Sequence, residues 1–443
     1  MQVTFKHIGM IEGADIRLDG LTVIAGENDT GKSTVGKILF SLIKTFNRYE
    51  RDARTFQVRK LYRLIDDYYF DFRRKTVNQL ALDMGKGFFE EIKSDILAMV
   101  GSDKQKEEIR HSIADKVDNF TEKIFQTVGM RVTLAELSGD AVELIENKPP
   151  VEEIFRDSFS RYMMSVISGE VANKFAADKE YSISGKEGNN ILFMITGRNG
   201  LPGIRLNDQL YFEDATFIES PVILNMADTI RFSKSEFDAT GELKNRVELL
   251  GQGYVPEYIR DLILKLTDQP GRGPVSPIKD QMQEIIGGDF YYDTDERDFI
   301  FEKGDRTFKG VSIASGIKSL GMIHILNLAG FIGPKSLLII DEPEAHLHPE
   351  WQIRFAEAMV NLVSQGNYIL LTSHSPYLIE ALKLFSGQAG LNEKTAFYLA
   401  EKVKDEFSSR ILEVTDDISP IMEILAKPFE DLEHRQLGQK EMP

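Results

Sequence analysis

Three short stretches hold the residues best suited to chemistry. Gly26, Glu27, Asn28, Asp29, Thr30, Gly31, Lys32 and Ser33 run as GENDTGKS, which fits the pattern GxxxxGK[ST]. Backbone N–H groups of such a loop, together with the N-terminus of the helix after it, supply positive partial charge to phosphates. Lys32 would then reach the β- and γ-phosphates of a nucleotide, and Ser33 would ligate Mg²⁺. A second stretch, LLIIDEPEAHLHP, places Asp341 and Glu342 at the end of a continuous apolar run. Two carboxylates emerging at the edge of a buried sheet suit a metal and a water, with Asp341 on the metal and Glu342 orienting or deprotonating the water. Taken alone, such a pair could equally cap the next helix. The third stretch, YILLTSHSP, ends another apolar run in polar residues, and its His374 is placed to touch a γ-phosphate. His346 and His348 have a spacing that can hold a metal, but no third ligand is evident.

These residues need elements to hold them. VTFKHIG, ADIRL and LTVIAG are short β-rich runs broken by Gly and Asp, so a small antiparallel element is expected before the phosphate loop. The loop itself sits between the strand LTVIA and the helical run VGKILFSLI. From Val35 to about Phe175 the apolar residues recur at three and four, as in KLYRLIDDYYFDFRR and FFEEIKSDILAMV, which predicts a mostly helical insertion. Sustained heptads are missing there, which favours a compact helical lobe over a coiled-coil arm. NNILFMITG, GIRL and ATFIESP return to strand patterning. Val255–Thr267 and Ile278–Ile286 read as helices around a QPGRGPVSP loop, and GDFYYD with DFIFEKGDRTFKG alternates like a hairpin. After Ser312 the order is loop, helix, apolar strand, carboxylates, helix and strand, the alternation of a parallel α/β sheet.

Composition narrows the rest. A chain of 443 residues suggests two or three structural units, and 42% hydrophobic with 28% charged residues is that of a folded, water-soluble protein. There is no cysteine, which excludes disulfides, thiolate metal sites and cysteine nucleophiles and fits a reducing compartment. No run approaches the roughly 18 apolar residues that a membrane span needs, and the N-terminus reads as a strand, so no membrane is expected and the expected address is the cytoplasm. With 53 Lys and Arg against 70 Asp and Glu, the net charge of −17 discourages nonspecific wrapping of nucleic acid. A local exception is Lys44 to Lys75, with ten basic against five acidic residues among Phe and Tyr; a solvated helix face is the plainer reading.

With GENDTGKS, IASGIKSLG, IIDEPEAHLHP and LTSHSP in view, the chain resembles an ABC-type ATPase of the SMC, RecF and OLD-like group, closest to standalone ATPases of Septu-like defence modules. The resemblance covers roughly residues 1–43 and 181–400. It implies an α/β head with a mixed sheet and flanking helices, interrupted by a helical insertion at 44–180 and followed by a segment at 401–443. ATP and Mg²⁺ are the implied ligands. Gly26, Asn28, Asp29, Thr30, Gly31, Lys32, Ser33 and Thr34 would bind phosphate, Ser33 and Asp341 the metal, and Glu342 and His374 would act on water and γ-phosphate. In that group two heads sandwich ATP, which implies a homodimer whose signature loop, here Ser315 and Gly316, completes the partner's site.

The sequence departs from the group at three places. Ala314 stands where the signature serine is expected, Glu219-Ser220-Pro221 where a Q-loop glutamine is expected, and HLHP where a D-loop aspartate is expected. Slow hydrolysis is the expectation. The functional reading is an ATPase that regulates a separate effector, a nuclease or toxin, in bacterial antiphage defence. The alternative is a RecF- or SMC-like repair ATPase that binds DNA; a transporter subunit fits less well because of the long insertion. The 69 residues after His374 leave no room for a Toprim nuclease domain, so Glu413, Asp416 and Asp417 read as surface or capping groups.

Overall fold

The computed structural model describes residues 1–99, 106–147, 149–167, 171–172, 180–198, 202–231, 255–268, 283–403 and 407–428. The QPGRGPVSP loop and residues 278–282 of the helix expected after it lie outside the described residues. The chain forms two compact units, one built from Met1–Asn47 and the described residues from Phe159 onward, the other from the described residues of Arg48–Ser158.

The first unit is organised by an 11-stranded mixed sheet. β1 (Gln2–Ile8) and β2 (Ile11–Arg17) form the antiparallel hairpin expected before the phosphate loop. β4 (Tyr181–Glu187), β5 (Asn190–Gly197) and β6 (Gly203–Leu206) extend it antiparallel on the β1 side. On the other side β14 (Ser409–Glu413) runs parallel to β2, and β13 (Thr395–Lys402) turns back beside it. The rest is parallel: β13, β3 (Leu21–Gly26), β12 (Tyr368–Ser373), β11 (Ser336–Asp341) and β7 (Asp214–Ile218), in that order.

Every residue of β3 is buried, as the continuous apolar run LTVIAG requires of a strand covered on both faces. Its core neighbours are Leu338, Ile340 and Leu371 from β11 and β12. Above them lie Phe355 and Met359 of α9 (Pro349–Ser364), Leu382 of α10 (Pro376–Gln388) and Leu320 of α8 (Ser315–Leu328). A separate three-stranded sheet, β8 (Asp289–Asp293), β9 (Asp298–Lys303) and β10 (Arg306–Lys309), stands where the hairpin was expected.

Helices α1 (Lys32–Lys75), α2 (Gln79–Met99), α3 (Lys106–Val128), α4 (Ala135–Glu146) and α5 (Val151–Ile167) fill the stretch read as helical. At 44 residues α1 is longer than any single helix the periodicity suggested; no proline interrupts it. The helical reading runs too far at its end, because Ala172 bridges to Ile8 as a β-partner. The second unit has its own aromatic core, in which Phe88 and Phe120 stack at 4.0 Å beside Phe72 and Phe89. Two further helices of the first unit are α6 (Ala227–Arg231) and α7 (Glu257–Thr267).

Candidate functional site

The parallel strands bring the chemistry to one edge. β3 ends at Gly26, β12 at Ser373, β11 at Asp341 and β7 at Ile218. In register, Ser373 lies beside Ala25, Asp341 beside Thr372, and Ile340 beside Ile218. Residues more than 300 positions apart in sequence therefore leave the sheet together, at the edge where parallel α/β sheets take ligands.

The loop from Gly26 to Gly31 turns sharply out of β3. Gly26 has φ +142°, and a Cβ there would stand 2.1 Å from the Ala400 carbonyl oxygen, so only glycine fits against β13. Asp29 and Gly31 also take positive φ, at 62° and 83°. Thr30 Oγ1 donates to the Glu27 carbonyl at 2.8 Å, and Ser409 Oγ on β14 donates to the Thr30 carbonyl at 2.7 Å, holding the loop from behind. Asn28 and Asp29 are exposed at its tip, while Thr34 lies half-buried on the first turn of α1.

Lys32 opens α1 with its ammonium folded onto the loop, donating to the Gly26 carbonyl at 3.1 Å and the Glu27 carbonyl at 2.5 Å. It is 4% exposed. Burial pulls its pKa below the usual lysine value, against the opposing pull of Glu342, Asp341, Glu344 and Glu27. A buried ammonium satisfied by carbonyl dipoles alone gains more from a phosphate oxygen, which carries full charge.

Asp341 is buried, and burial lifts its carboxyl above the ordinary carboxylate range despite hydroxyl hydrogen bonds from Thr372 and Ser33. Thr372 Oγ1 donates to Asp341 Oδ1 at 2.5 Å. The Ser33 hydroxyl, which acts on the Asp341 carboxyl, and that carboxylate are both hard oxygen donors, the donor set that suits Mg²⁺. Among the described residues no group of three or more His, Asp or Glu is arranged to hold a metal alone. An ion at this pair would draw its remaining ligands from phosphate and water.

Glu342 follows in a left-handed conformation, φ 48° and ψ 53°, unusual for a non-glycine residue. Its N–H is held at 3.2 Å from both the carbonyl and the hydroxyl of Thr372. The turn aims its carboxylate at His374, whose Nδ1 lies 3.4 Å from Glu342 Oε1, within ion-pair reach but without hydrogen-bond geometry. Both side chains remain about one-third exposed, so water can reach them.

Glu219, directly after β7, is the third carboxylate at this edge. It accepts from Lys37 Nζ at 2.9 Å and from the Tyr258 hydroxyl at 2.5 Å. Burial and the bond to Glu219 drive the Tyr258 hydroxyl well above the ordinary tyrosine value. Glu219, Asp341, Glu342, Ser319 and His346 border one small cavity. Lys37, one turn along α1 from Lys32, balances part of this negative charge and lies over the Tyr258 ring.

The histidines of HLHP have separate surroundings. His348 Nδ1 accepts the Glu350 N–H at 3.4 Å, capping α9. Ser315 and Gly316 start α8 behind Ala314, which offers no side-chain cap. A Cβ on Gly316 would stand 3.0 Å from the His346 carbonyl oxygen, with Leu347 and Trp351 next to it. No hydrogen bond or ion pair among the described residues joins Ser315 or Gly316 to the phosphate loop of the same chain. Of the acidic residues near the C-terminus, Glu413 accepts from Arg17 at 2.5 Å and Asp417 from the Ser419 N–H at 2.9 Å.

Sequence reasoning gave no role to Lys37, Glu344, Thr372 or Ser409. Glu344 and Thr372 stand inside motifs already singled out, so polar residues at the ends of apolar strands were the available signal. Ser409 carried none, because its strand reaches the loop only through the sheet order.

Comparison with known proteins adds a partial match. A family model described as "AAA domain, putative AbiEii toxin, Type IV TA system" matches residues 236–380, a stretch that includes Ser315, Gly316, Asp341, Glu342 and His374 but not the phosphate loop. An ATPase domain is what that match supports. No curated protein matches. Among solved structures, the chain is similar to the SMC head domain from Thermotoga maritima at 11% identity and TM-score 0.37, covering 93% of this chain and 98% of that one. It is also similar to an Smc head domain with an extended coiled coil bound to the C-terminal domain of ScpA, from Pyrococcus furiosus, at 10% identity and TM-score 0.38, covering 96% and 98%. At such scores the likeness carries no argument, and the architecture stands on the strand order itself.

Proposed function

We propose that this chain binds ATP with Mg²⁺ and hydrolyses it slowly, dimerises around the nucleotide, and through that cycle regulates a separate effector, a nuclease or toxin, in bacterial antiphage defence. The observation that carries the ATPase reading is the single sheet edge at which Lys32, Ser33, Asp341, Glu342 and His374 emerge, with Thr372 hydrogen-bonded to Asp341. Ser33 and Asp341 would hold the metal, which would supply positive charge against the phosphates. Glu342 holds a water and takes its proton, and His374, beside Glu342, marks where the γ-phosphate comes. Lys32 exchanges its two loop carbonyls for phosphate oxygens.

Support for a toxin-like setting comes from the description of the matching family model, which names a toxin system. The trans role of Ser315 and Gly316 is carried by their place at the start of α8, beside the turn that follows Glu342. The test is phosphate release and ATP calorimetry on the purified protein and its Lys32→Ala variant. Loss of tight binding in the variant is expected, and unchanged affinity sinks the phosphate-loop assignment. For the effector, nuclease assays run with this protein alone and with its genetic neighbour are expected to show cleavage only together. ATP-dependent cleavage by this chain alone would contradict the regulator reading.

A further inference from the structure

Glu344, two residues after Glu342, has no part in the chemistry described so far, yet it is 7% exposed among other acids. It lies in the turn Pro343–His346 that leads from β11 toward α9. Its Oε1 accepts two hydrogen bonds from the end of β12, one from the Ser373 hydroxyl at 2.7 Å and one from the His374 N–H at 2.6 Å. Its Oε2 has no hydrogen-bond partner.

Those bonds belong to a ring of buried polar groups. The Ser375 N–H donates to Ser373 Oγ at 3.0 Å, and the Ser375 hydroxyl donates to Gln352 Oε1 at 2.5 Å. Gln352 Nε2 then donates to the Leu347 carbonyl at 3.0 Å, which returns the chain of bonds to the turn where Glu344 sits. Ser373, Ser375 and Gln352 are each at most 7% exposed. Nothing in the strand ladder performs this tie, because β11 and β12 stop pairing at Asp341 and Thr372.

A buried carboxylate this close to Asp341 and Glu342 works against its neighbours, since like charges in low dielectric repel. A neutral side chain would close the turn at lower cost. What a carboxylate adds is a charged acceptor for a backbone N–H, roughly twice as strong as a neutral one. The N–H it holds is that of His374, whose ring stands 3.4 Å from Glu342. From this arrangement we infer that Glu344 is a positioning residue that fixes His374 against Glu342. The inference rests on the ATPase reading for its kinetic consequence but not for its geometric one.

Both consequences are measurable on the full chain. In steady-state ATPase assays Glu344→Ala is expected to lower kcat about ten- to a hundredfold with KM for ATP within about threefold, the pattern of a misplaced reacting group. Glu344→Gln, which keeps an acceptor oxygen but not the charge, is expected to restore part of that loss. The double variant Glu344→Ala/His374→Ala should turn over no more slowly than His374→Ala alone, because both act through one ring. Fully additive losses, or an unchanged kcat in Glu344→Ala, overturn the inference. Independently of turnover, NMR on the ligand-free protein should show the contact between His374 ring protons and the Glu342 side chain lost in Glu344→Ala and kept in Glu344→Gln. Its survival in a folded Glu344→Ala protein also overturns the inference. An inactive wild type whose Glu344→Ala variant shows this loss refutes the ATPase reading while leaving the positioning role standing.

Discussion

At the end of β11 two acidic side chains one residue apart live in different surroundings, and that difference assigns their work. Asp341 is buried and hydroxyl-bonded, while Glu342 swings out through a left-handed turn to meet water and His374. Glu342→Gln is expected to keep ATP affinity and slow phosphate release about a hundredfold or more, the usual share of a general base. Full turnover would place the base elsewhere. For Asp341, burial raises the folded pKa, so its stabilising contribution is complete below the ordinary carboxylate range and is lost as pH rises through the raised value. The surroundings of Asp341 in the ligand-free protein therefore disfavour its ionised form. Asp341→Asn should raise the melting temperature at pH 7, lose that advantage below about pH 4, where the aspartate is itself neutral, and abolish Mg²⁺-dependent turnover. A lower melting temperature at pH 7 would contradict this account.

Among the elements, α1, β7 and α7 are joined by a buried ionic knot. Lys44 Nζ lies 2.5 Å from Asp214 and 2.7 Å from Asp261, and Lys265 Nζ lies 2.6 Å and 3.0 Å from the same two aspartates. Burial opposes the charge on Lys44, but Asp261 and Asp214 more than reverse it, so its pKa rises. Lys44→Met strips both aspartates of one cation and is expected to destabilise the fold by about 3 kcal/mol in urea unfolding, as breaking a buried pair does. A change near zero would mean that water screens the knot.

This knot shows where sequence reading stops. The apolar runs LTVIAG, SLLIID and YILLTS are legible as buried strands because a strand covered on both faces must be apolar throughout, and the polar residues ending them mark the site edge. Lys44 reads only as one more charge on a helix, since its aspartates come some 170 and 217 positions later. Glu344 is visible as a letter in DEPEAHLHP, but its partners sit on another strand. β13 and β14 escaped notice because neither ends in chemistry-bearing residues, although β14 supplies Ser409 behind the loop.

For the whole molecule, the charge-bearing site lies in the first unit, while the second is a helical body with its own aromatic core. A core of that kind lets Arg48–Ser158 hold its shape by its own packing. If two heads close on ATP with Ser315 and Gly316 in trans, Gly316→Glu should remove at least about 90% of turnover, a loss of some 1.4 kcal/mol or more in barrier terms. The same variant should stop Glu342→Gln from dimerising with ATP in light-scattering measurements. Wild-type turnover in a folded Gly316→Glu protein would refute the trans arrangement.

The placement of β3 also bears on how the protein is made. Among the described residues its strand neighbours are β12 and β13, whose residues are added more than 300 positions later. At synthesis rates of roughly 5–20 residues per second, the most apolar strand waits on the order of half a minute with both edges unpaired. An unpaired apolar edge is a template for another chain, and polysomes hold many copies of this one close together. The same pairing that joins loop and carboxylates thus leaves β3 to wait for its strand partners until late in synthesis.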